Sequence, residues 1–225
     1  MVLIDIACTT LDDVQQAALG GANSLELSVD LAADGLTPSL DFVKSVRETV
    51  TIPIHVMLRV HARNFVYSHA EKASMLADSH ALADSCDGFV VGALLDSGDF
   101  DTAWIRVVAE SFPEHRLTLH RALDHCINPV ETLQDLKSVV SRVLVSGSLT
   151  TAWKGRDTLK AWVAQFGHDY SFVAAGSVNH DIIARLVAES SVQECHAARA
   201  VRRDGVVAAD LVAALREAAI EGHHP

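Results

Sequence analysis

The sequence predicts an α/β protein folded as a single (β/α)8 TIM barrel. Short runs rich in β-branched residues alternate from end to end with longer stretches of helical period. The length of 225 residues suits one such barrel. No Gly-x-Gly-x-x-Gly follows the first apolar run, which argues against a doubly wound dinucleotide fold.

Eight strand and helix pairs can be laid out in order. A strand over 2–7 leads to a helix near 10–19, with Thr10 as its cap, Asp12 and Asp13 in its first turn and Gly20–Gly21 closing it. Strand 24–28 precedes helix 39–50, where Ser39 stands at the N-cap. Strand 53–59 and helix 69–84 follow, then strand 88–92 and helix 100–111. Strand 116–120 leads to helix 129–139, with Asn128 as cap and Pro129 in the first helical position. Strand 142–146 pairs with helix 154–166, strand 171–175 with helix 179–188 capped by Asn179, and strand 192–196 with helix 206–219. One domain over 1–225 is expected, with 220–225 as a frayed tail.

Composition narrows the function classes. Hydrophobic residues make up 49% and charged residues 21%, the balance of a folded core rather than a disordered chain. A net charge of −11 without a basic stripe excludes nucleic-acid binding as the main role. No apolar run approaches the roughly 18 residues of a membrane span, and MVLIDIACTT has no basic, long-apolar leader, so no membrane partner and a cytoplasmic location are expected. Cys8, Cys86, Cys126 and Cys195 are widely spaced and read as reduced thiols.

Side chains alternate faces along a strand, and in a barrel the helix-facing set must be apolar. The polar parity is therefore the inward one, which places Asp5, Glu26, His55, Arg59, His120, Glu194 and His196 inside the barrel. Unpaired buried charge costs several kcal/mol, so these groups either form an internal network or serve a ligand. Arg59, His120 and His196 fall at strand C-terminal ends, where barrel active sites gather. The loop DLAADGLTPS can fold over the mouth, and the loop after the third strand brings His61, Arg63, Asn64 and Tyr67. Glycine turns after the sixth and seventh strands, Ser146–Gly147 and Gly176–Ser177, can aim backbone N–H groups at an anion, with Arg199 nearby.

Several stretches together resemble the CutC copper-homeostasis family: GLTPS at 35–39, HVMLR at 55–59, FVYS at 65–68, LHRALD at 119–124, RVLVSG at 142–147 and ECH at 194–196. The resemblance covers nearly the whole chain. It implies a single cytosolic barrel, often oligomeric (a dimer or tetramer of like chains), that binds copper or confers copper tolerance. Two family cysteines are absent: Asp5-Ile6-Ala7 stands where a Glu-Val-Cys run is usual, with Cys8 one position later, and LELS puts Ser28 where a cysteine is usual.

Two readings follow. In the first, the chain handles Cu(I), which favours sulfur, and a Cys8–Cys126 pair helped by Met57 or a histidine is the one site that can be assembled. In the second, the barrel is an enzyme for a small anionic, phosphorylated or similar, metabolite. His120 or His196 is then the acid or base, oriented by Glu26, Glu194 or Asp5, and Arg59 and Arg121 hold the anion. An Arg121–Asp124 ion pair securing the rim is the alternative role for that arginine.

Overall fold

The computed structural model describes residues 2–222. The strands are β1 (Leu3–Cys8), β2 (Ser24–Leu27), β3 (Ile54–Met57), β4 (Gly88–Val91), β5 (Arg116–Leu119), β6 (Arg142–Val145), β7 (Ser171–Ala174) and β8 (Glu194–Ala197). They close in that order into one parallel barrel, with β8 pairing back on β1. Between and after them run α1 (Leu11–Leu19), α2 (Leu40–Thr49), α3 (His69–Leu82), α4 (Thr102–Ser111), α5 (Pro129–Leu136), α6 (Arg156–Phe166), α7 (Ile183–Ser190) and α8 (Ala209–Glu221). The molecule is the (β/α)8 barrel that the alternation predicts.

Parity explains the layering. Ile4, Ile6, Leu25, Leu27, Ile54 and Val56 are fully buried on the outer face and join helix residues such as Val14, Val43 and Ile105 in one continuous core. Leu144, Val173 and Ala175 form a separate small apolar cluster on the inward parity, beside the polar groups.

Caps hold where a hydroxyl precedes the helix. Thr10 accepts from the Asp13 N–H and Ser39 from the Phe42 N–H, while Gly20 and Gly21 close α1 as expected. Asn128 occupies the N-cap of α5, but its side-chain amide donates to Asp99 and caps nothing. Asn179 is not the cap of α7. Its side chain accepts from the Asp181 N–H in a turn, and the helix begins four residues later, at Ile183.

The expected helix start at 206 is also corrected. Residues 202–207 form a hairpin, β9 (Arg202–Arg203) and β10 (Val206–Val207), turned by Asp204–Gly205 with both residues at positive φ. Asp13 pins it to α1 by accepting from Arg202 and from the Val207 N–H. Ile220 and Glu221, expected in the tail, belong to α8; residues 223–225 of that tail lie outside the described residues.

Candidate functional site

At the C-terminal ends of the strands lies a cavity of about 670 Å³, walled by Glu26, Arg59, His120 and His196 among others. Asp5, Glu26, His55, Arg59, His120 and Glu194 are buried and His196 is half-buried. Parity thus brings together the set it selected, in two tiers. Glu26, Arg59, His120 and His196 face the cavity, whereas Asp5, His55 and Glu194 do not line it.

The hub between the tiers is Arg142, at the start of β6, which sequence reasoning missed. It is fully buried, its Nε–H donates to Glu194 Oε2 at 2.7 Å, and its terminal nitrogen lies 3.3 Å from Asp5 Oδ1. The second contact is an ion pair without hydrogen-bond alignment. Applying the parity used elsewhere to Arg142, Leu144 and Ser146 finds it, since Leu144 is inward too. Ser171 Oγ donates to the other oxygen of Glu194, and Ser24 Oγ donates to Asp5.

Asp5 in turn holds His196: Nδ1 lies 2.7 Å from Asp5 Oδ2. Burial alone raises a carboxyl pKa, yet Arg142 and the two histidines outweigh it and hold Asp5 well below the ordinary range. An ionised carboxylate only accepts, so His196 Nδ1 carries the proton and Nε2 faces Glu26, 4.0 Å away. Burial pulls the His196 pKa down, but Glu26 and Asp5 together raise it. Burial raises that of Glu26. Glu26 Oε2 is buried and has no protein partner. Two titratable groups therefore meet at the cavity floor, each shifted towards the protonated form.

His120 behaves differently. Its Nδ1 accepts the Ala122 N–H at 3.1 Å, and burial, then Arg59, push its pKa down to about 3. It is neutral in the physiological range. Arg59 lines the cavity with its Nε unpartnered, while the rest of its guanidinium is engaged by the protein itself. Its terminal N–H groups donate to the carbonyls of Ala33, Gly35 and Ala62, pinning the loops after β2 and β3, and its guanidinium stacks on Phe65 at 4.8 Å.

At the rim the Arg121–Asp124 pair forms, with Nε 3.2 Å from Oδ2. Asp124 also takes the N–H groups of Ser146 and Gly147 at 2.9–3.1 Å. The turn after β6 does aim amides at an anion, but that anion is the protein's own carboxylate, which corrects Ser146 and Gly147 as ligand-binding residues. Gly176 and Ser177, both at positive φ, line the cavity, as do Arg121 and Arg199. Arg199 is exposed and donates one N–H to the Leu31 carbonyl of the loop after β2.

Residues 2–201 match the model of the CutC family. The chain belongs to the CutC family. It is 32% identical over 203 residues to the CutC family protein of Salmonella typhimurium, covering 89% of this chain and 81% of that one. The Pasteurella multocida member is also 32% identical, over 195 residues, 86% of this chain and 80% of its own. The solved CutC of Streptococcus agalactiae, named for copper homeostasis, superimposes with a TM-score of 0.83 at 23% identity, covering 87% of this chain and 98% of that chain, a likeness of fold.

The name CutC raises copper, and the residues present do not fit Cu(I). Cys8 ends β1 and Cys126 follows β5, four strands round an eight-stranded barrel, so the two lie on opposite sides and cannot share an ion. Both are packed in the outer core, and neither lines the cavity. Burial holds the Cys8 thiol well above its ordinary pKa, which disfavours the thiolate a metal needs. Cys195 faces the helices and is pushed up to about 12. At the cavity itself Met57 supplies the one sulfur among the described residues. The only His/Cys/Asp/Glu group of metal-ligand geometry among them is Asp5, Glu26 and His196, with ligand atoms within 4.8 Å. Oxygen and imidazole donors suit harder divalent ions, and Asp5 is already engaged by Ser24, Arg142 and His196.

Proposed function

We propose that this CutC-family barrel is an enzyme that moves protons on a small anionic compound bound at the mouth cavity. Glu26 and His196 exchange the protons, Asp5 holds the imidazole, and Arg199 supplies positive charge at the entrance. The observation that carries this reading is Glu26, which with His196 lines a cavity of about 670 Å³, its Oε1 4.0 Å from the imidazole and its Oε2 buried with no protein partner. Such an orphan is costly unless a ligand or its proton satisfies it.

A part in copper homeostasis has the support of family membership. On the present reading the chain serves it through metabolite chemistry rather than by carrying Cu(I) on Cys8 and Cys126. Four free cysteines favour a reducing cytoplasm, where the chain works as a homo-oligomer, a dimer or tetramer. The exposed Leu19 and Ile127 offer apolar surface for such contacts.

Thermal-shift screening of phosphorylated and carboxylated metabolites tests the enzyme reading. A ligand is expected that stabilises the wild type and loses its effect in Glu26→Gln and His196→Gln; a screen in which no anion stabilises the wild type overturns it.

A further inference from the structure

His120 is neutral, buried and half-used. Its ring seats against Gly92, where a Cβ would lie 2.7 Å from Cε1 and Nδ1, so the glycine is what leaves the imidazole its space. The backbone of the residue is fixed from both sides, its N–H donating to the Val91 carbonyl and its own carbonyl accepting from Leu123. Because Nδ1 accepts the Ala122 N–H, the single ring proton sits on Nε2. That Nε2 is buried, belongs to a residue 3% exposed, has no protein partner, and its ring lines the cavity that holds Glu26 and His196. An acid would give its proton away and a base would take one. This group does neither and keeps an unpaired N–H in the wall of the cavity.

We infer that the substrate of this site carries a carbonyl group and that His120 Nε2–H is the donor that polarises its oxygen, in a reaction passing through an enolate or enediolate. The inference rests on the acid–base reading of the same cavity and names its substrate class. The step balances within the groups on hand. Glu26, as the carboxylate, takes the proton from the carbon next to the carbonyl; the C–H electron pair forms the carbon–carbon double bond, and the carbonyl π pair moves onto the oxygen. The negative charge that develops there is stabilised by the His120 N–H, and a neutral imidazole suits this role because its weak acidity leaves the proton on nitrogen. Protonated His196, its Nε2 4.0 Å from Glu26, returns a proton to carbon to complete an isomerisation, and the proton held by Glu26 then passes to His196, which restores both groups.

The test compares two probes of like charge and size, phosphoglycolohydroxamate, a planar mimic of an enediolate, and glycerol 3-phosphate, which has no carbonyl or enolate. With purified full-length protein, titration calorimetry is expected to show the hydroxamate binding about 10- to 100-fold more tightly, the worth of a hydrogen bond to a charged acceptor. His120→Ala should erase that preference while leaving glycerol 3-phosphate unaffected, and His120→Gln, which keeps an N–H donor, should restore part of it. In 15N-labelled protein the His120 Nε2 proton should move downfield only with the hydroxamate, a readout available in the wild type even if a variant fails to fold. Equal affinities with an unmoved His120 resonance overturn the inference and leave the anion site standing. Binding of neither probe overturns both.

Discussion

His196 Nδ1 lies 2.7 Å from Asp5 Oδ2, and the same Asp5 is 3.3 Å from the fully buried Arg142. One carboxylate thus ties the imidazole at the cavity floor to the ion pairs of the barrel interior.

Asp5→Asn should separate these two jobs. Without the carboxylate, Glu26 alone opposes burial, and the raised pKa of His196 should fall. Histidine titration by NMR measures this. An unchanged His196 pKa would show that Asp5 does not set it.

Removing Arg142 should cost stability rather than tune the site. Arg142→Met leaves Asp5 and Glu194 buried without the cation they share, a loss of about 3–5 kcal/mol in chemical denaturation. A loss below about 1 kcal/mol would mean the carboxylates are satisfied from elsewhere.

Much of this interior was legible from alternation alone. Asp5, Glu26, His55, Arg59, His120, Glu194 and His196 fall on the inward parity, and all seven are inside. Arg142 obeys the same rule but opens its strand, where a charge reads as a solvated end. What alternation cannot encode is the use of each polar atom. Arg59 is spent on the carbonyls of Ala33 and Gly35, and Asp124 occupies the Ser146 and Gly147 amides, because loop backbones close on these side chains in three dimensions. The separation of Cys8 from Cys126 follows from strand order, since β1 and β5 face each other across any eight-stranded closure.

Acid should destabilise the protein through His120. An unfolded imidazole titrates near 6.5 and the folded one at about 3, so between these values only the unfolded chain binds the proton. The contribution is intact above pH 6.5 and is lost as pH falls, on the order of 4 kcal/mol by pH 3. His196, raised in the folded state, works in the opposite sense, its contribution present at low pH and lost as pH rises through its folded pKa. His120→Gln should therefore close its stability gap with the wild type on acidification. A gap that is constant from pH 7 to 4 would contradict the neutral, buried imidazole.

Cu(I) affinity should not depend on the two mouth-end thiols. In a competition titration of reduced protein, the wild type should bind no more tightly than the Cys8→Ser, Cys126→Ser double variant. A wild-type affinity about tenfold higher or more would put a sulfur site back in play.

The most direct test is a crystal structure of protein purified and crystallised without added ligand. A small organic anion is expected at the barrel mouth, within hydrogen-bond distance of Glu26 Oε2 and His120 Nε2. A metal ion held by the sulfur of Cys8 or Cys126, with only water at the mouth, would contradict it.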